Sequence, residues 1–455
     1  MDSSNEGRIL SKAIGILEKL PVCDQCLGRQ FAWLSTETSN RERGRSIKLL
    51  ISMIADENMK SGKREEGIRL LKLLASIGSF HPAIEIASRY SIEIDPKKKC
   101  ALCTHQGRSI FDIIPSIAQR FMTDVQEIEF SSFLVGCKPI SEMMEREDEI
   151  RAEMGLLHGE TLKADFNREL GKHLSRLLPQ DTNFGQPDVV LVYDMLEDKL
   201  DIRLNPIFIE GKYRKLKRGI PQSRWECSKC RGKGCASCRQ TGRMYPDSIS
   251  EYIGEPILLA VQGTKYKFHG AGREDIDVLM LGTGRPFVVE VSEPKIRSLD
   301  LGKIEKKINR LSRKKVEVMD LRLSSRSVAQ KYKEDASNNV KEYEAIIRTS
   351  EPVTQRALQE TAEKLSGATI MQQTPERVSH RRSDLVREKQ IHKVELTPRR
   401  DRRIKAFFRV QGGTYIKELI SGDDGRTTPS LSEQLGTSCQ CDELDVVRIC
   451  NSHTP

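Results

Sequence analysis

Three carboxylates and a guanidinium fall within five consecutive residues, Arg273-Glu274-Asp275-Ile276-Asp277. They lie inside the stretch Phe268 to Glu290, where an apolar strand feeds a glycine turn and a second apolar strand, Pro286 to Val291, leaves it. Carboxylates held at a turn between core strands are presented for chemistry, although a charged hairpin would show the same residues. Gly270 and Gly272 allow close approach of the backbone to a ligand, and Gly282 and Gly284 are expected to supply the positive φ of a hairpin. Glu274 and Asp277 are expected to pair with neighbouring basic residues.

Thiolates form the second chemical signal. Eight of the twelve cysteines fall in Cys-x-x-Cys pairs. Cys23 and Cys26 are separated from Cys100 and Cys103 by a long insertion of helical pattern, and two such turns can converge on one tetrahedral zinc that staples the ends of a small helical domain. Cys227, Cys230, Cys235 and Cys238 lie much closer together, in Trp225-Glu-Cys227-Ser-Lys-Cys230-Arg-Gly-Lys-Gly-Cys235-Ala-Ser-Cys238. That spacing predicts a compact four-thiolate cage with no position left open for water and so a structural role; an iron-sulfur cluster fits the same spacing, and zinc is the simpler reading for a knuckle with Lys and Arg inside it. Cys137, Cys439, Cys441 and Cys450 are expected to be ordinary buried or surface thiols.

These residues need elements to carry them. Ile9, Leu10, Ala13, Ile14, Leu17 and Leu20 recur at helical spacing before Pro21, and a second helical pattern runs from Lys63 to Gly78. Beyond Cys103 the pattern is mixed, with strands at Glu127 to Val135 and Asp188 to Tyr193, a helix from Lys163 to Leu178 and a strand pair at Leu200 to Leu204 and Ile207 to Ile209. Lys212 to Arg218 then carries five basic residues in seven, a candidate RNA phosphate contact. From Pro246 onward strands at Ile257 to Val261, Val278 to Leu281, Phe287 to Val291, Val316 to Leu321, Tyr343 to Thr349 and Ile404 to Val410 alternate with helices at Lys303 to Ser312 and Thr354 to Ser366. This predicts an α+β chain with a large mixed, mostly antiparallel sheet flanked by helices.

Composition narrows the class. The 455 residues carry 75 Lys plus Arg against 65 Asp plus Glu, a net charge of +10 that suits a polyanionic partner. Between Glu376 and Arg409 twelve basic residues face five acidic ones, and Arg381, Arg382, Arg399, Arg400, Arg402 and Arg403 mark a nucleic-acid footprint. The opening MDSSNEGRILSKAIGILEKL has early acids and no uninterrupted apolar core, and no apolar run is long enough to span a membrane, so a cytoplasmic location is expected. A reducing compartment gives the cysteines a metal role over disulfides. Gly282-Thr-Gly284 lacks the third glycine and following helix of a dinucleotide fingerprint, which removes the main support for a methyltransferase or dehydrogenase.

Three pieces in order, Gly272-Arg273-Glu274-Asp275-Ile276-Asp277-Val278, Lys341-Glu342-Tyr343-Glu344-Ala345 and Gly413-Thr414-Tyr415-Ile416-Lys417-Glu418-Leu419, resemble the pseudouridine synthases. Together with the split N-terminal cysteine pairs, Arg218-Gly-Ile-Pro-Gln222 and Gly422-Asp-Asp-Gly-Arg-Thr-Thr-Pro429, the chain is similar along almost its whole length to the archaeal and eukaryotic Pus-ten family of tRNA pseudouridine synthases. The resemblance implies an N-terminal helical region (1–80), a THUMP-like RNA-binding domain (81–211), a basic linker with the four-cysteine knuckle (212–245) and a catalytic domain (246–455). It implies isomerisation of the adjacent T-loop uridines 54 and 55 of tRNA after base flipping, with no cofactor for catalysis. Asp275 matches the nucleophile of the family's Arg-x-Asp arrangement, and Lys417 is its paired cation in an otherwise uncharged pocket. Tyr343 stacks on the extruded uracil, Tyr415 lines the same pocket, and Arg273 helps expel the uridine and hold a phosphate. The tRNA body and T loop are the expected partners of a monomer. The alternative is a non-catalytic zinc and THUMP tRNA-binding protein or chaperone, which explains charge and cysteines but not why an acidic cluster, a Tyr343-bearing strand and a Tyr415-Ile416-Lys417 strand recur together in catalytic order.

Overall fold

The computed structural model describes residues 8–335, 339–379 and 383–450, and the chain divides into two compact units, residues 1–205 and 206–455. No helix among the described residues is long and apolar enough to cross a membrane.

The first unit begins with the helices Arg8–Lys19, Asp24–Arg29, Asn40–Lys60 and Arg64–Lys72. Ser39 opens the long Asn40–Lys60 helix with a capping box, its side chain accepting from the Glu42 amide while Glu42 reaches back. Ala13 and Leu17 of the first helix turn inward, as the spacing predicts, and Ile16 joins them, whereas Ile9 is exposed. The second cysteine pair is followed by a small hairpin, β1 (Thr104–His105) and β2 (Arg108–Ser109). A four-stranded sheet then forms from β3 (Ser132–Lys138), β4 (Asp181–Thr182), β5 (Val189–Asp194) and β6 (Lys199–Leu204), in the order β4-β3-β5-β6. The helix Leu162–Leu177 covers it with Phe166, Leu170 and Leu174 buried. Arg29 is fully buried and pairs with Glu147 at 2.6 Å and Asp165 at 3.4 Å, both also buried. That cluster joins the Asp24–Arg29 turn to the helices Ser141–Met154 and Leu162–Leu177, so the early helices and the small sheet share one core.

The second unit is built on a ten-stranded sheet. Its strands are β7 (Ile207–Lys215), β8 (Lys265–Gly270), β9 (Leu279–Ser292), β10 (Val316–Ser324), β11 (Val340–Thr349), β12 (Thr369–Gln373), β13 (Val386–Pro398), β14 (Arg403–Gln411), β15 (Thr427–Thr428) and β16 (Cys439–Cys450). The order is β10-β7-β9-β16-β11-β14-β13-β12-β15, with β8 also pairing β9. Its pairings are antiparallel except β9 with β16. The sheet is therefore mixed and mostly antiparallel, as expected. Helices Ile249–Val261, Leu301–Leu311 and Gln355–Leu365 complete the apolar core.

Four local expectations differ from what is found. Gly282 and Gly284 do have positive φ, at 55° and 75°, but they bulge within the single strand β9 and turn no hairpin. The β7 register jumps there, with Lys215 opposite Met280 and Tyr213 opposite Arg285. A Cβ at Gly282 would meet the Val447 carbonyl at 1.7 Å, so close backbone approach demands glycine. Ile257 to Val261 is the end of a helix whose Ile249, Ile253, Ile257 and Val261 are buried four apart; Pro256 interrupts the run and leaves a short apolar stretch that fits strand or helix. Tyr-Ile-Lys at 415–417 opens the helix Ile416–Ser421 and is not a strand. The basic run 212–218 belongs mainly to β7, an inner strand, and most of its charges turn to protein groups: Lys215 is fully buried, Lys212 pairs with Asp320 at 3.0 Å and Arg214 with Glu317 at 3.0 Å, whereas Lys217 is exposed.

Candidate active site

The loop 271–278 joins β8 to β9 and is pinned from beneath. Glu274, 6% exposed, lies with Oε2 2.9 Å from Nε of the buried Arg285 on β9. The Tyr213 hydroxyl donates to the same carboxylate at 2.9 Å and accepts from the Gln222 amide, which also donates to the Gly272 carbonyl at 2.9 Å. Burial pushes the Tyr213 hydroxyl well above its ordinary pKa, with the Glu274 charge acting in the same direction, so the phenol remains a donor. Lys215 Nζ donates to the carbonyls of Asp275 at 3.1 Å and Ile276 at 2.7 Å. Arg218 donates to the Asp277 carbonyl at 2.8 Å and pairs with Asp445 on β16 at 2.6 Å. The Arg218-to-Gln222 phrase thus serves as a clamp on the acidic loop.

Above this layer the loop opens into a cavity of about 420 Å³ lined by Trp225, Arg273, Glu274, Asp275, Ile276, Asp277, Arg377, Val378 and Lys417. The Asp275 side chain is 39% exposed. Two cations make their closest approach to the same oxygen, Oδ2: Arg377 Nη1 at 2.9 Å and Lys417 Nζ at 3.7 Å. Lys417 sits nearer to Asp277, at 2.7 Å; burial pushes the Asp277 carboxyl up, but the lysine outweighs it and holds that group below its ordinary range. Arg377 is itself held by the buried Glu418 at 2.6 Å. Desolvation lowers its basicity, and the Glu418 and Asp275 carboxylates more than offset this, so it stays a permanent cation. The site is therefore more open and more charged than the expected uncharged pocket with a single cation.

Arg273 lies at the rim, exposed, with its guanidinium carbon 5.3 Å from the centroid of the Trp225 ring. Tyr343 stands on β11 opposite Val446 and Phe408, half-buried. Burial raises its hydroxyl to about 12, and Glu274 and Asp275 are among the charges that reach it. Tyr415 caps the N-terminus of the helix Ile416–Ser421, its amide donating to Gln372 Oε1 at 2.9 Å and its carbonyl accepting from Gln372 Nε2 at 2.9 Å. Arg273, Asp275 and Lys417 thus meet at one cavity, whereas Tyr343 and Tyr415 do not line it. Sequence reasoning missed Arg377 and Trp225. Arg377 belongs to the basic segment whose charge stood out, but the residues 381 and 382 singled out there lie outside the described residues.

Both cysteine groups converge. Cys23, Cys26, Cys100 and Cys103, and separately Cys227, Cys230, Cys235 and Cys238, each place four sulfurs within 4.8 Å of one another. Tetrahedral zinc with bonds of about 2.3 Å requires sulfurs about 3.8 Å apart. The Cys23 to Cys103 separation is 3.7 Å, Cys227 to Cys235 3.9 Å and Cys230 to Cys238 3.8 Å, so both cages fit the ion. Cys137, Cys439, Cys441 and Cys450 belong to neither group.

Residues 208–450 match the family description "Pus10, C-terminal", and residues 117–194 match "Pus10 THUMP domain, archaeal". The tRNA pseudouridine synthase Pus10 of Methanothrix thermoacetophila is 41% identical over 442 residues, covering 97% of this chain and 94% of that one. The chain belongs to the Pus10 (Pus-ten) family of tRNA pseudouridine synthases. The Pus10 of Methanocaldococcus jannaschii is 42% identical over 441 residues, 95% of this chain and 93% of that one. Among solved structures, a Cbf5-Nop10-Gar1 complex aligns with TM-score 0.27 and 19% identity over 42% of this chain and 43% of that chain. The THUMP match begins inside the helix Ile114–Asp124 and ends with β5, so the Pus10 THUMP domain here contains the strands β3 to β5 and the helices between them.

Proposed function

We propose that this chain isomerises uridine to pseudouridine in the T loop of tRNA, at uridines 54 and 55, with Asp275 as nucleophile. The bond from the ribose to the base nitrogen breaks, the base turns, and a carbon–carbon bond to the ribose forms while the base carbon gives up its proton and the freed nitrogen takes one; no redox partner or cofactor enters this balance. The observation that carries the reading is the placement of Asp275: an accessible carboxylate on a loop fixed from below, with Arg377 and Lys417 on Oδ2. The approach of both cations to one oxygen leaves Oδ1 as the atom for attack.

The target uridine must leave the stack of its loop to reach this carboxylate. Arg273 at the rim fills the gap in the RNA and holds a phosphate, for which a planar guanidinium suits better than an ammonium. Tyr343 stacks on the extruded uracil from β11, and Tyr415 meets the same base from the start of the helix that carries Lys417, although neither lines the Asp275 cavity in the free protein. The THUMP domain holds another part of the tRNA by backbone and shape, and the basic segment around Arg399 to Arg403 meets the tRNA body. Cys23, Cys26, Cys100 and Cys103 hold one structural zinc, and Cys227, Cys230, Cys235 and Cys238 a second. One protomer acts on one tRNA.

Incubation of the purified protein with an unmodified tRNA transcript, followed by carbodiimide modification and primer extension, tests the reading. Wild type is expected to give stops in the T loop, and Asp275→Asn to give none while binding the transcript with unchanged affinity. Activity in Asp275→Asn would remove the nucleophile assignment. Tight binding without pseudouridine from either protein would favour the non-catalytic tRNA-binding role.

A further inference from the structure

The four-cysteine knuckle ends where the Asp275 cavity begins. Its two ends are zipped together: the Met244 amide donates to the Trp225 carbonyl at 3.0 Å, the Cys227 amide to the Gly242 carbonyl at 2.8 Å, and Glu226 pairs with Arg243 as an antiparallel bridge. Closing the thiolate cage therefore fixes the backbone of Trp225, two residues ahead of the first ligand. Tyr245 braces the indole edge-on, with centroids 5.7 Å apart at 81°. Arg273 approaches the same ring at 5.3 Å, and Trp225 is half-buried on the wall of the cavity that holds Asp275. A ring braced on its edge and set beside an exposed guanidinium is a platform whose partner can be exchanged.

The knuckle also carries an unbalanced charge. Residues 224–243 contain six Lys or Arg against one Glu, and Arg231, Lys233 and Arg239 among them are exposed. Basic side chains beside an aromatic face are the two parts of a single-stranded nucleic-acid site: the charges follow the backbone and the ring takes a base.

We propose that the knuckle is an RNA-reading arm of the catalytic cavity, with Trp225 the stacking platform for an RNA loop base next to the target uridine and the exposed arginines holding flanking phosphates. Arg273 occupies the ring in the free protein and is released to the RNA when a base takes its place. Because every base has a π-face, the platform tolerates sequence. The inference rests on the Asp275 cavity being the uridine site.

Trp33 and Trp225 are the only tryptophans, so Trp33→Phe leaves Trp225 as the sole indole of the full-length, metal-loaded protein. Titration of this variant with an unmodified tRNA transcript is expected to quench its emission along the binding curve, and titration with heparin, a polyanion without bases, to leave it unquenched. No quenching at saturating tRNA, or equal quenching by heparin, would overturn the proposal. Trp225→Ala is expected to raise KM for the transcript about tenfold and Trp225→Phe to restore most of it, in line with the usual worth of one stacked base. A Trp225→Ala protein with wild-type KM would equally sink it. Cys235→Ser combined with Cys238→Ser in the Trp33→Phe background should shift the indole emission and weaken the tRNA-dependent quench; unchanged emission and quench would exclude the knuckle from the site. Asp275→Asn in the same background separates the two readings. Residual isomerisation would refute the nucleophile, whereas loss of the quench alone would refute the platform.

Discussion

Glu274 and Asp275 are neighbours on one loop and live in opposite surroundings. Glu274 faces inward, 6% exposed, with Arg285 and the Tyr213 hydroxyl on its oxygens. Asp275 faces outward, its side chain 39% exposed and met by Arg377 and Lys417. A buried charge is tolerated only when partners replace water on it, so the inner carboxylate is committed to holding the loop. The outer one keeps an oxygen available, so it is free to react. One residue of register therefore separates an anchor from the proposed nucleophile, and the division can be tested from both sides.

The largest effect on stability is expected on the inner side. Glu274→Ala leaves Arg285 buried without its carboxylate and should lower the stability of the unit 206–455 by about 3–5 kcal/mol. Asp275→Asn removes no buried partner and should stay within about 0.5 kcal/mol of wild type while losing activity. Denaturant midpoints of the two variants decide the matter. Similar midpoints would abolish the distinction between anchor and proposed nucleophile.

On the outer side Arg377→Ala is the sharper probe. It removes the nearer cation from Asp275 and leaves Lys417, which prefers Asp277. The expected result is a fall in kcat of about tenfold to a hundredfold with little change in KM for tRNA, the pattern of a group that acts through the nucleophile. Arg377→Lys should recover part of it. A change confined to KM would instead make Arg377 an RNA contact, returning the basic segment to the role its charge suggested.

Part of this arrangement is legible in the sequence. Both thiolate cages were legible because metal-ligand spacing is local at each end, even across the insertion between Cys26 and Cys100. The mixed sheet was legible from its alternating apolar strands, and Glu274 was placed with a basic partner, which turned out to be Arg285. Arg377 was not legible, because its link to Asp275 spans about a hundred residues and net charge alone pointed it at RNA. Lys212 to Arg218 misled for a related reason: five charges in seven residues hide a strand whose alternation buries Tyr213 and Lys215. Gly282 and Gly284 announced positive φ correctly but not whether the chain would turn or bulge, since only the Val447 carbonyl in the adjoining strand settles that.

Lys215 offers the finest test of how firmly the loop is pinned. Burial lowers its pKa from the ordinary 10.5 to about 8, against the opposing pull of Glu274, Asp277 and Asp275, while Arg218 adds to the lowering. Between those two values the folded lysine has released its proton and the unfolded one has not, so unfolding takes up a proton. Stability contributed by this group therefore rises with pH across the window from about 8 to 10.5, and the cost of the buried charge is fully present below it. Lys215→Met has no such proton, and Lys341, lowered to about 7 by burial, is common to both proteins and cancels. Urea unfolding of wild type and Lys215→Met at pH 7.5, 8.5 and 9.5, values chosen around the window, should show the difference moving steadily in favour of wild type. Since neutral Lys215 still has N–H groups to donate to the Asp275 and Ile276 carbonyls, the clamp survives deprotonation while its desolvation cost does not. Parallel curves would mean that water reaches Lys215 from the cavity side, and the boundary between the buried layer and the open site would lie deeper than the loop itself.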